Sequence, residues 1–206
     1  MQLRYACPYT GAEYVSQQAW QEASLPRCPL HPQDGCHFAR HGTYERASPR
    51  GTRVARWYCR EGRCTFSLLP DCLAARLSGT LSEVEALVRA AEQAPSLEAL
   101  CASERLEIEL PGALRWVRRR VQDVHASLLT LKGLLGEPFV AVAPTLAAFS
   151  APLGVSEVLV ALRGVAAPWL AQLPAPLGFR PRRRGRGKVG EDVQQDAGPD
   201  PPRLEA

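Results

Sequence analysis

Between positions 114 and 135 the chain places an apolar residue at every third or fourth position: Leu114, Val117, Val121, Val124, Leu128, Leu131 and Leu135. Spacing that alternates between three and four makes one apolar stripe along a helix of about six turns. Pro111 suits the first turn of such a helix, and Gly133 followed by Gly136-Glu137-Pro138 ends it. A stripe of this length must be covered, so it predicts helical partners within the chain or a coiled-coil partner outside it. At about 100° per residue, Arg115, Arg119 and Gln122 point away from the stripe and Arg118 sits on its flank.

Shorter helical signals surround this one. Thr80-Leu81-Ser82-Glu83 has the form of a capping box, and Leu81, Val84, Leu87, Val88 and Ala91 follow at helical spacing. Pro95-Ser96 stops that helix and starts a second short one over 97–102, with 105–110 as the connection to the long helix. Residues 138–179 are apolar but broken by Pro144, Pro152, Pro168, Pro174 and Pro176. The run 139–156 carries no charge, yet its two prolines and modest hydrophobicity argue against a membrane span. Residues 156–167 read as a short amphipathic helix. A basic run over 180–188 leads into an acidic, Pro-rich end expected to be disordered.

Residues 26–70 hold many Cys, His, Arg, Gly and Pro and little apolar surface, so they need a staple to fold. No apolar secretory core occupies the first residues, and a cytoplasmic, nucleoid-associated location is the expectation. In a reducing compartment, clustered Cys read as metal ligands before disulfides. Cys28-Pro-Leu-His31 is a two-ligand turn, and Cys59 with Cys64 supplies a second pair, so Cys28, His31, Cys59 and Cys64 are the candidate ligands of a structural Zn2+. Cys36 is the alternative ligand, and His37 also competes. The bland alternative is that these Cys are small buried residues.

At these residues the chain resembles the zinc-ribbon/helix-turn-helix proteins of bacterial insertion sequences, either transposase N-terminal regions or short transposase-associated proteins. The matching text is Cys28-Pro-Leu-His31, then Arg40-His41-Gly42-Thr43-Tyr44-Glu45-Arg46, then Arg56-Trp57-Tyr58-Cys59-Arg60-Glu61-Gly62-Arg63-Cys64-Thr65-Phe66-Ser67. It extends over about residues 26–135. His31 stands where the family pattern has Cys, and Gly62 stands where it has the fourth ligand, with Cys64 two residues further on. The resemblance implies DNA binding through a helix-turn-helix, with residues 96–121 in that role.

Charge distribution agrees with a polyanionic partner. Residues 71–110 hold three Arg against eight acids, whereas 111–135 hold five basic residues against one acid, and 180–190 hold six basic residues and no acid. Only two of the 25 basic residues are Lys, and arginine's planar fork suits phosphate and guanine edges; GC-rich coding explains the same bias. Arg115, Arg118, Arg119 and Gln122 are the candidate DNA contacts. Trp116 is expected to pack under a neighbouring helix. No catalytic residue is assigned. Glu137 and Glu157 are the only acids of 136–206 in plausibly folded sequence, too few for a metal-binding carboxylate triad. Adjacent placement of Cys36 and His37 is not evidence of a nucleophile–base pair.

The expected fold is mostly α: a small N-terminal zinc-ribbon-like β module, then a helix-turn-helix helical domain, then a disordered C-terminal tail. The divisions are 1–25 (irregular leader), 26–72 (ribbon), 78–136 (helix-turn-helix with long basic helix), 137–179 (Pro-interrupted helical segment) and 180–206 (tail). The expected function is DNA binding as a non-catalytic accessory or regulatory protein of a transposable element. Double-stranded DNA is the expected partner, with a transposase or a second copy of the chain as further candidates and no membrane. A protein-interaction adaptor and a truncated transposase lacking its catalytic domain are the alternatives.

Overall fold

The computed structural model describes residues 1–103 and 111–181. Its N-terminal half is a four-stranded mixed sheet in the order β1-β4-β3-β2. The strands are β1 (Gln2–Tyr5), β2 (Phe38–Glu45), β3 (Arg53–Cys59) and β4 (Cys64–Pro70), and a short helix α1 (Gly11–Ser16) follows β1. β2–β3 and β3–β4 are antiparallel hairpins, while β1 adds to β4 in parallel with Gln2 opposite Ser67. A bulge between Arg40 and Thr43 bends β2, with Gly42 at φ +78° supplying the left-handed residue.

Alternation along β3 and β4 makes the sheet two-faced. Val54 and Leu69 enter the main core, while Ala55 and Leu68 pack with Ala23 on the other side. Arg4 fastens β1 to the end of β4 with a two-pronged pair to Asp71, Nε to Oδ1 at 2.8 Å and Nη2 to Oδ2 at 2.7 Å.

Helices follow the sheet: α2 (Leu81–Gln93), α3 (Leu97–Ser103), α4 (Gly112–Leu135), α5 (Leu146–Leu153) and α6 (Val158–Val165). The capping box of α2 forms: the Glu83 amide donates to Thr80 Oγ1 at 3.0 Å, and the Thr80 amide donates to Glu83 at 2.7 Å. Ala94 ends α2 in an extended conformation, as a residue before proline prefers. On α4, Val117, Val124, Leu128 and Leu131 of the stripe are fully covered, and Leu114, Val121 and Leu135 are half-buried. No single helix among the described residues is long and apolar enough to cross a membrane. The bent pair α5 and α6 would pass by length and composition together, but it places Leu146, Phe149, Val158, Leu159 and Leu162 in the core.

The expectation of a mostly α protein with a distinct ribbon is corrected. The hairpins belong to a larger mixed sheet, and one core cluster joins Tyr14 and Trp20, Val54 and Leu69 of the sheet, α2, α4, α5, α6 and Phe179. Residues 1–25 are not an irregular leader but supply an edge strand and a helix. Thr10-Gly-Ala-Glu13 is itself a capping box, with the Thr10 amide donating to Glu13 at 2.8 Å. The turn of the expected helix-turn-helix falls in 104–110, and most of the expected tail falls in 182–206; both lie outside the described residues.

Two carboxylates of α2, Glu85 buried and Glu92 partly buried, set the C-terminal helices. Glu85, only 4% exposed, accepts from the first free amides of α6, Val158 at 2.9 Å and Leu159 at 2.7 Å, and from Arg89 at 2.7 Å. Two turns along, Glu92 accepts from the Leu146 amide of α5 and pairs with His125 of α4, both at 3.0 Å. An anion at a helix N-terminus satisfies amides that the helix itself leaves free. Glu85→Ala strands the Val158 and Leu159 amides and removes the Arg89 pair, and should cost about 2–4 kcal/mol in denaturant unfolding. A loss below about 0.5 kcal/mol, the range of ordinary surface changes, would contradict this role.

Candidate metal centre and basic helix face

Cys28, His31, Cys36 and Cys59 bring their ligand atoms within 4.8 Å of one another at the end of β3. Cys59 closes β3, Cys28 and His31 come from the irregular segment between α1 and β2, and Cys36 comes from the approach to β2. His31 Nδ1 lies 3.5 Å from Cys28 Sγ and 3.4 Å from Cys59 Sγ. A thiophilic ion at about 2.3 Å from sulfur and about 2.0 Å from nitrogen, with tetrahedral angles, needs an S···N edge of about 3.5 Å. The cluster therefore can hold a metal ion.

Backbone amides support the sulfurs. The Gly62 amide donates to Cys59 Sγ at 3.2 Å, and the Leu30 and His31 amides donate to Cys28. Burial raises the Cys28 thiol, but hydrogen bonding with His31, these amides and Cys59 outweighs it and brings the group to about 7. Cys36 is pushed up to about 12, first by burial and then by the Cys28 and Cys59 sulfurs. Three crowded sulfurs cannot all ionise beside one another, and a bound cation removes that conflict. Phe38, Trp57 and Phe66 form the floor, with Phe38 and Trp57 stacked at 5.3 Å.

Three of the four expected ligands thus meet, and the fourth corner is the alternative, Cys36. Cys64 lies opposite Cys59 in the hairpin, but its thiol turns to the Thr65 carbonyl at 3.8 Å and is outside the group. Gly62 fits beneath Leu30, which a side chain at 62 would strike. His37 is no ligand of this cluster: it is mostly exposed and pairs with Glu61 at 2.5 Å. That hydrogen bond is the largest cause holding the Glu61 carboxyl down to about 2.

A second thiol pair lies apart from this centre. Cys72 donates to Cys7, which lowers the Cys7 thiol; burial opposes this, the Asp71 and Tyr9 amides assist, and Cys7 comes to about 7. The same bond and burial raise Cys72.

Arg115, Arg118, Arg119 and Gln122 are all exposed on α4, as the wheel predicts. Trp116 packs on the α3–α4 cluster of Leu100, Cys101 and Val117. Sequence reasoning gives Arg120 only a phosphate-contacting role beside Arg118 and misses its burial: it is 6% exposed, bonded to Ser78 Oγ at 3.0 Å and stacked 3.6 Å over Trp116. The available signal was its position seven residues after Ala113 and four before Val124, at the edge of the buried stripe. Arg76, Ser78, Arg115, Trp116, Arg119 and Arg120 line a cavity of about 430 Å³.

Comparison with protein-family models, curated proteins and solved structures gives no match.

Elemental analysis of purified protein should find about one metal ion per chain. Cys36→Ser and Cys59→Ser should lose it on dialysis, whereas Cys64→Ser should keep it. Metal lost with Cys64 but retained without Cys36 would reverse the ligand assignment. In the metal-loaded protein, iodoacetamide should label Cys7 first. Its thiolate fraction rises as pH rises through about 7, so the labelling rate should climb over that interval. A rate that begins to rise only near pH 8.5, the unperturbed thiol value, would contradict the Cys7–Cys72 bond.

Proposed function

We propose that this chain is a non-catalytic DNA-binding protein, with a structural zinc ion at Cys28, His31, Cys36 and Cys59 and the solvent face of α4 as its DNA contact. The carrying observation is that Arg115, Arg118, Arg119 and Gln122 share an exposed face of a helix whose opposite face is locked in the core. A rigid element bearing arginines is suited to phosphate oxygens and base edges, because no backbone order must be gained on binding. Zinc follows from the donor set: three thiolates and an imidazole fill a tetrahedral ion and leave no position for a reacting water. Its role is to close residues 26–37, which have no helix or regular strand to hold them. The motif text of residues 28–67 supplies the setting, an accessory or regulatory protein of a transposable element.

Fluorescence anisotropy with mixed-sequence duplexes at several salt concentrations tests this. Three or four phosphate contacts give a log–log salt slope of about −3. Arg118→Ala should flatten the slope by about 1, and Gln122→Ala should change affinity without changing it. Absence of duplex binding even at low salt would overturn the reading.

A further inference from the structure

The cavity beside α4 carries a more specific inference. We propose that it is a phosphomonoester site that holds the terminal phosphate of a nucleic acid strand. This deepens the DNA-binding reading and rests on it for the source of the ligand, but not for the chemistry of the site.

Four arginines, Arg76, Arg115, Arg119 and Arg120, line it together with Ser78. No Asp or Glu is among its lining residues. Glu83 faces the smaller cavity of about 250 Å³ across Trp116 and Arg120, and its carboxylate is taken by the Thr80 amide at 2.7 Å. The nearest acid on α4 is Asp123, one turn beyond Arg120.

One buried arginine anchors the site, and exposed side chains complete it. Arg120 is clamped between Ser78 and the Trp116 ring. Arg76 sits at φ +58° and donates to the Phe179 carbonyl at 3.2 Å. Arg115 and Arg119, one turn apart and exposed, are free to close over a ligand. Burial lowers the Arg120 pKa, and the neighbouring Arg119 lowers it further, so an anion between them would relieve both.

Clustering of four arginines around one cavity decides the class of anion. A phosphodiester carries one charge, and a protein following a duplex spreads its cations along successive phosphates. A phosphomonoester carries about −1.5 to −2 near neutral pH and offers three acceptor oxygens to planar guanidinium forks. About 430 Å³ is the size of a small-molecule pocket. It exceeds what a bare phosphate fills, and Leu77 and the part of Trp116 that lines the cavity beside Arg120 add apolar surface for a sugar.

The full chain should be titrated with deoxyadenosine 5′-monophosphate, with deoxyadenosine, and with duplexes that differ only in a 5′-phosphate or 5′-hydroxyl end. The monophosphate should bind at least tenfold tighter than the nucleoside, and the phosphorylated duplex at least tenfold tighter than its hydroxyl twin. Arg119→Gln should abolish both preferences, with unchanged circular dichroism and melting. Arg27→Gln, an equal loss of charge on an exposed residue away from α4, should abolish neither. Monophosphate binding without any duplex preference would keep the pocket and assign it a free phosphorylated metabolite in place of a strand end. Steep salt-dependent duplex binding with no response to either phosphate would overturn the pocket and leave the DNA-binding reading standing.

Discussion

The segment from Leu73 to Leu77 joins sheet to helices and crosses the middle of the molecule without regular secondary structure. Leu73, Ala74 and Ala75 are fully buried, so their peptide groups have no water to turn to. Arg163, itself completely buried, donates to the Leu73 carbonyl at 3.1 Å and the Pro176 carbonyl at 2.8 Å. Arg46 donates to the carbonyls of Ala74 and Leu77. The Ala75 amide reaches Pro176 at 2.8 Å, and the Leu81 amide reaches Cys72 at 2.7 Å. Desolvation lowers the Arg163 pKa to about 10. The guanidinium stays protonated at neutral pH, and charge-assisted bonds from Nη2 to two carbonyls offset part of its burial, while Nε and Nη1 make no hydrogen bond among the described residues. Without these donors the sheet could not share a core with α2, α4 and α6.

The far end of the hairpin is held on a different principle. Around Cys28, Cys59 and Phe66 the apolar cluster is small and its neighbours Leu3, Leu25, Cys36, Phe38, Trp57 and Cys64 are only partly covered. Hydrophobic burial at roughly 25 cal/mol per Å² cannot order so short and irregular a loop by itself. Four ligand atoms within tetrahedral reach can, since metal binding to a site absent from the unfolded chain is folding free energy. The His37–Glu61 pair ties the same loop to the hairpin turn from outside, but on an exposed surface such a pair contributes little.

Local physics made much of this legible in the sequence. The α4 stripe, the Thr80–Glu83 capping box and the stop at Pro95 each depend on residues within one or two turns. They appear where periodicity and capping chemistry put them. The Cys28–His31 turn was legible for the same reason, whereas Cys59 was legible only as a clustered Cys further along the chain. What failed was non-local or broke a template. β1 pairs with a strand more than sixty residues away, and nothing within Gln2–Tyr5 encodes that partner. Cys36 was only an alternative because two ligand pairs are the usual construction, and here one thiol arrives alone from a loop while Gly62 stands where a paired ligand was expected. The Thr10–Glu13 capping box was present in the sequence but lay in a stretch without apolar period.

Arginine content illustrates why composition alone misleads about function in this chain. Arg163, Arg46, Arg4, Arg89 and Arg40 are engaged internally: by carbonyls in the core, by Asp71, by Glu85, and by the Trp20 and Gln21 carbonyls. These residues would raise the net charge whether or not a polyanion were ever bound. α4 separates the two uses along a single helix. Its inner side buries Arg120 and Ser127 as donors to neighbouring segments, with Ser127 reaching the Ala175 carbonyl at 2.9 Å. Its outer side leaves Arg115, Arg118 and Arg119 in solvent. Arg120 stands at the boundary, fixed by Ser78 and Trp116 yet lining the open cavity. A cation held that firmly loses little entropy when an anion arrives, whereas a free surface arginine must be ordered first. Binding strength on this face is therefore expected to concentrate at the cavity, where fixed and free arginines meet.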